Sequence, residues 1–466
     1  MSDNKKAFKS GVWYTIANVL VKSIGFITTP IFTRLLTHSE FGTFNNYTSW
    51  LSIVTIFITL NLESTLISAK FDYEDDFDGY IFSMLILSAI NTVIWFVIVN
   101  VNGTFFENVL NLNIKYIDAM LIYLFFLPAV NMFQTRERYY FEYKATVLTS
   151  IILSLGTAML SVVLVTKMSN RLNGRIIGAI VPTVFLGLYF FIYFIKRGKR
   201  VSICYWKYAI PICLPYIPHL LSMTLLNSMD RVMITKMCGS EQTAFYSLAY
   251  TCGTMVTLLL TSMNGAFAPW LGEKINNREY IQIRKVSYIY ISGFLFFAVG
   301  IMLVSPEILY ILGGKPYMEA IYVLAPVSMG CACQFLYTLF VNVEQFKKRT
   351  GGMAIGSVIA ALINLVLNYL FIPKLGYFAA AYTTLIGYIV LLLIHMYLVS
   401  KLGLGQIYDY KFILISVLVG IVLMILITIL YAHILLRYLV IVGYAAIAIF
   451  IFFKYKDKLF DFIKRR

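Results

Sequence analysis

Few residues of this sequence could do chemistry in water, and most of those stand inside or beside long apolar runs. Lys22 lies in the middle of the first run, and Tyr14, Asn18, Gly25 and Thr29 share its stripe at spacings of three and four. An amine at that depth has to face water or other protein, because lipid does not solvate it. Lys22 therefore either faces a water-filled cavity, where it would hold an anion as a point charge, or pairs with a carboxylate and joins helices. In the seventh run Tyr216, His219, Met223, Asn227 and Asp230 fall within about a quarter turn of one another. His219 is able to titrate near neutrality, or serves as a satisfied structural group. Asp230 and Arg231 are adjacent, so they point about 100° apart and each is placed to bridge elsewhere. Glu63, two residues after Asn61, is either a gate and proton carrier or an interfacial carboxylate.

Other motifs fall short of a site. Glu74, Asp76, Asp78 and Gly79 fit the opening of a calcium loop, but Leu85 stands where the closing carboxylate belongs. A solvated loop is the expectation. Cys331 and Cys333 form C-x-C inside an apolar run without a second ligand pair, which reads as small core residues. No Walker motif, GxSxG elbow or HExxH occurs. No metal, no cofactor and no catalytic residue are expected.

The elements that position these residues follow from composition. The 466 residues are 60% hydrophobic and 13% charged, and the mean hydropathy is +0.80. So few charges cannot cover an aqueous surface, and the sequence divides into fourteen runs long enough to span a bilayer. The first begins after Lys5, Lys6 and Lys9 and, lacking a small-residue cleavage site, is read as a retained helix rather than a signal peptide. The net charge of +16 would suggest nucleic acid in a soluble protein. Here no basic helix or aromatic platform supports that, and the basic residues sit in clusters between runs. With both termini cytoplasmic, 27 of the 38 Lys and Arg fall on the cytoplasmic side, which sets the orientation.

A shift of 202 residues lays Thr33-Arg34 on Thr235-Lys236, Gly42 and Phe44 on Ala244 and Tyr246, and Gly174 and Ala179 on Gly376 and Ala381. One register works at both ends of a six-helix block. The expected organisation is an all-α membrane protein of about fourteen transmembrane helices. It has parallel six-helix bundles at 1–200 and 201–401, and two further helices with a basic cytoplasmic tail at 402–466. Six spans is an even number, so both halves point the same way, with a substrate path between them.

Two stretches carry a resemblance. Leu35-Leu36-Thr37-His38-Ser39-Glu40-Phe41-Gly42 is similar to the turn after the first helix of polysaccharide flippases. Asp230-Arg231-Val232-Met233-Ile234, then Gly239 and Tyr246-Ser247-Leu248-Ala249-Tyr250, resembles a second signature of that family, with Ala244 in place of its usual glycine. The family is the oligosaccharide-lipid flippase group of the superfamily that includes multidrug and toxin exporters. The resemblance implies two bundles in a V shape around a central cavity. The implied cargo is undecaprenyl-pyrophosphate-linked oligosaccharide, moved to the outer leaflet of the bacterial inner membrane by ion-coupled alternating access. On that reading Lys22, Arg34 and Arg231 hold the pyrophosphate, with Asn18, His219 and Asp230 beside it, and Glu63, Asp230 and His219 are the coupling candidates. Membrane lipids, a polysaccharide polymerase and a chain-length regulator are the expected partners. A multidrug exporter is the competing transporter, although those usually stop at about twelve spans. A polymerase or glycosyltransferase would need a large loop or soluble domain, and a scaffold would have no use for Lys22.

Overall fold

The computed structural model describes residues 3–198, 200–349 and 351–464, and no strand occurs among them. The chain runs α1 (Asp3–Leu35), α2 (His38–Thr59), α3 (Leu66–Asp72), α4 (Phe77–Val101), α5 (Gly103–Leu110) and α6 (Ile114–Tyr139). It continues with α7 (Tyr143–Lys167), α8 (Arg171–Gly198), α9 (Ile203–Cys213), α10 (Ile217–Cys238), α11 (Ser240–Gly253) and α12 (Val256–Asn276). The last are α13 (Tyr280–Gly313), α14 (Ile321–Phe346), α15 (Gly351–Leu375), α16 (Phe378–Val399), α17 (Tyr410–Leu430) and α18 (Ile434–Lys464). Leucine, isoleucine and phenylalanine stay exposed along many of these helices, as they do where lipid is the solvent.

Fourteen spans were expected. Among the described residues twelve helices are long and apolar enough to cross a membrane, or thirteen if one bent pair is counted as a span. The two runs that fall out are the second and the eighth. The second bends by 52° between His38–Thr59 and Leu62–Asp72, where Leu60 and Asn61 take φ of 51° and 50°. Its freed carbonyls are not left bare, since Asn91 Nδ2 on α4 donates to Phe57 O (2.9 Å) and Ile58 O (2.8 Å). The eighth run divides near Thr254 into the 14-residue, more polar α11 and the 21-residue α12. Between α4 and α6 the chain forms the short helix α5.

The seventh run contains Pro211, Pro215 and Pro218 and is interrupted. A tight 3₁₀ turn at Leu214–Tyr216 separates α9 from α10. The 202-residue recurrence is visible in the helix starts, since α2 begins at His38 and α11 at Ser240 (240 − 38 = 202).

Two compact units share the chain. Unit 1 comprises the residues up to Ser247 with Gly351–Thr383, and unit 2 comprises Leu248–Thr350 and the residues from Thr384 on. In unit 1, α8 packs on α6 and α7, while α10 packs on α2 and α15. In unit 2, α14 is the most enclosed helix, packed by α12, α13 and α17.

Candidate functional site

Unit 1 holds a cavity of about 510 Å³ walled by α1, α2, α6, α7 and α8. Its size falls in the range of small-molecule sites. Thr28, Thr48, Gln134, Ser150, Ser154 and Thr183 give it a partly polar wall. Arg175, on the first turns of α8, is its one charged lining residue. The guanidinium lies over the rings of Phe32 and Phe44, 3.9 and 4.1 Å from their centroids, and Nη1 donates to Ser161 Oγ at 2.8 Å. Arg171, one turn earlier, donates to Leu35 O at 2.6 Å and ties the start of α8 to the α1–α2 turn.

A second polar cluster in unit 1 is closed. Asp230 is buried at 1% exposure among Asn364, Asn368, Tyr246 and Thr383. Asn368 Nδ2 donates to Asp230 Oδ1 at 2.6 Å, and Tyr246 Oη donates to Oδ2 at 2.6 Å. Asn368 also donates to Asn364 Oδ1 at 3.2 Å, and the Thr383 hydroxyl donates to Asn368 Oδ1. Four elements thus converge on one carboxylate through neutral groups. Hydrogen-bond donors on both oxygens satisfy the buried carboxylate. No group of three or more His, Cys, Asp or Glu that could hold a metal occurs among the described residues.

The other expected residues are spread more widely. Lys22 and Asn18 are exposed on α1 and do not line the cavity, although Gly25 of their stripe does, beside Val21, Ile24 and Thr28. Arg34 is exposed at the last turn of α1. Arg231 is partly buried, and its Nη1 donates to Asn227 O at 3.2 Å. His219 Nδ1 lies 2.9 Å from Ser357 Oγ on α15. Glu63 follows the α2 break, beside Asn131 of the cavity wall. The structure therefore gathers Asp230 with residues of α11, α15 and α16, whereas Lys22 and Arg34 stand exposed on α1 and Arg231 bonds within α10. The acidic segment forms a clasp in place of a calcium loop: Asp78 takes Arg136 at 2.6 Å and Asp76 accepts from Tyr205 Oη at 2.6 Å. Cys331 and Cys333 are buried in α14.

The family description "Polysaccharide biosynthesis protein" matches residues 7–275, more than half of the chain. The chain belongs to that family. No curated protein matches it closely in sequence. Among solved structures it resembles lipid II flippase MurJ in an inward closed conformation, with a TM-score of 0.68 at 14% identity over 96% of this chain and 100% of that one. It also resembles an inward-facing multidrug resistance MATE family transporter of the MOP superfamily, with a TM-score of 0.68 at 14% identity over 84% and 98% of the two chains. A MOP superfamily transporter from Pyrococcus furiosus gives 0.60 at 16% over 86% and 96%. The chain is thus a multi-pass membrane protein of the polysaccharide biosynthesis family, with a fold like that of these solved structures.

The two stretches that resemble the polysaccharide biosynthesis family acquire a physical reading here. Thr37 and Glu40 form a capping box at the start of α2, with Glu40 N on Thr37 Oγ1 at 3.2 Å and Thr37 N on Glu40 Oε2 at 2.9 Å. Gly42 lets α2 approach α11, since a Cβ there would lie 1.6 Å from Ser240 O. In the second stretch, Asp230 and Tyr246 are bonded to each other, and Gly239 ends α10 at φ 94°. Sequence reasoning passed over Asn364, Asn368 and Thr383. The i, i+4 pair of asparagines in an apolar run was the available signal. It also passed over Arg175, whose place just ahead of the sixth apolar run made it look like a loop charge; it is the fifth residue of α8.

Proposed function

We propose that this protein is a flippase that moves undecaprenyl-pyrophosphate-linked oligosaccharide from the cytoplasmic to the outer leaflet for surface polysaccharide synthesis. The observation that carries the reading is the family match over residues 7–275 on an all-helical membrane body with a polar cavity. The bacterial inner membrane is its proposed location, with both termini cytoplasmic, as the Lys and Arg bias favours. The bundles are proposed at 1–200 and 201–401, with 402–466 appended. A polymerase and a chain-length regulator are the proposed protein partners.

Lys22, Arg34 and Arg231, with Asn18 and His219 nearby in sequence register, are the proposed contacts for the anionic cargo. Asp230 is the proposed coupling residue, supported by its burial and its shell of neutral donors. Glu63 and His219 remain secondary coupling candidates. Charging and discharging a carboxylate that holds α10, α11, α15 and α16 together would bias those helices between two arrangements.

A clean deletion strain tests the function. It should accumulate lipid-linked oligosaccharide on the cytoplasmic leaflet and lose surface polymer, and Asp230→Asn should fail to restore it at normal membrane abundance. Unchanged surface polymer in a strain with no second flippase would overturn the reading.

A further inference from the structure

The coupling cluster uses every oxygen of its carboxylate, whereas the cavity of unit 1 contains polar atoms with nothing to bond. Arg175 Nε and Tyr47 Oη are both buried without a hydrogen-bond partner, and both residues line the cavity. Tyr47 is only 1% exposed. No Asp or Glu lines the cavity, and no carboxylate forms an ion pair with Arg175 among the described residues. Buried polar groups are normally satisfied, and a buried guanidinium is normally paired. Two orphaned donors beside one cavity, one of them cationic, call for a ligand with several acceptor oxygens and negative charge. A guanidinium offers a planar fork suited to phosphoryl oxygens. Its two faces are partly held by Phe32 and Phe44, which fixes the fork without supplying a counter-charge. The hydroxyls and amides along the wall would serve groups attached to that anion.

We propose that the cavity of unit 1 is a phosphoryl-binding subsite, with Arg175 as its charged anchor and Tyr47 as a second donor. The inference deepens the flippase reading by giving the anionic part of the cargo a place apart from Lys22. The phosphoryl group could arrive on a membrane lipid or free in solution, and the chemistry of recognition is the same.

The test uses the full chain purified in detergent, with farnesyl pyrophosphate as the lipid-borne probe, inorganic pyrophosphate as the free one and farnesol as the uncharged control. Thermal shift titrations should show saturable stabilisation by a pyrophosphate probe and none by farnesol. Stabilisation by farnesyl pyrophosphate alone assigns a lipid-borne ligand; equal stabilisation by both assigns the phosphoryl group itself. Arg175→Gln should weaken binding tenfold or more, roughly the loss of a charged hydrogen bond. Arg175→Lys should fall between, and Tyr47→Phe should weaken binding severalfold with unliganded melting unchanged. If Arg175→Gln does not fold, the other two variants carry the test. No shift with either charged probe, or equal affinities in wild type and all variants, would overturn the proposal. Binding does not require transport. A protein that binds while its deletion leaves surface polymer intact breaks the flippase reading alone, and the converse breaks this inference alone.

Discussion

Unit 1 and unit 2 each hold an ionisable side chain among packed helices, but they treat it in opposite ways. In unit 2 His395 Nδ1 lies 2.7 Å from Glu344 Oε1, with the two residues 2% and 1% exposed, and Tyr337 stacks on the imidazole at 5.7 Å. The pair joins α14 to α16 in a packed interior. In unit 1 Arg175 has aromatic rings, one serine hydroxyl and a cavity, and no carboxylate. A charge buried with a partner is an element of architecture, because removing either member strands the other. A charge that lines a cavity with no carboxylate partner among the described residues has no ion pair to strand, and the proposed phosphoryl ligand would supply its counter-charge. The Asp230 cluster lies between these cases: packed like the pair, with an amide and a phenol hydroxyl donating to its two oxygens.

The largest expected effect belongs to the paired case. Glu344→Leu should destabilise the purified protein by roughly 3–5 kcal/mol, because His395 loses its partner in a packed interior. The double variant Glu344→Leu, His395→Leu should recover much of that loss, since two apolar groups replace two polar ones. Melting of the three proteins in one detergent checks this. A double variant as unstable as the single would show that shape, not pairing, fixes α14 on α16.

Next in size is Tyr246→Phe. It removes a hydroxyl that donates to a buried carboxylate, so the expected cost is roughly 1.5–3 kcal/mol with the ring packing unchanged. Melting of the variant beside wild type checks this, and an unchanged melting temperature would remove that hydroxyl from what holds α11 to α10. Thr383→Val is smaller. It keeps the side-chain shape and deletes the hydroxyl that donates to Asn368 Oδ1, for about 1 kcal/mol, measured as a fall in melting temperature.

The sequence makes the paired and the clothed sites legible to different degrees. Asp230 stands out because a carboxylate in an apolar run is conspicuous, and its partner Tyr246 lies in the same family-like stretch. Asn368 and Thr383 join it through the packing of α15 and the start of α16, a register that periodicity alone does not give. His395 and Glu344 sit near the ends of their runs, where a polar residue reads as interfacial. The helices themselves follow from apolar length. The break in the second run does not, because it depends on Asn91 of another helix accepting the role of partner to Phe57 O and Ile58 O. Nor does the division of the eighth run, whose summed hydropathy hides a polar half.

The smallest expected effect on stability is at Arg175, and it separates the two units most sharply. Arg175→Met removes one bond to Ser161 Oγ and two contacts with aromatic rings. Those losses are each on the order of 1 kcal/mol. Against them, methionine fills a similar length without an orphaned Nε and without a charge that the cavity solvates poorly. The two sides nearly cancel, so the melting temperature without ligand should change by the equivalent of about 1 kcal/mol or less in either direction. The response to added pyrophosphate, by contrast, should vanish. A structural arginine would behave the other way, with a loss approaching that of Glu344→Leu and no change in ligand response beyond what instability explains. Measuring both variants side by side, with and without farnesyl pyrophosphate, therefore asks whether the contrast between the units is one of function or only of packing.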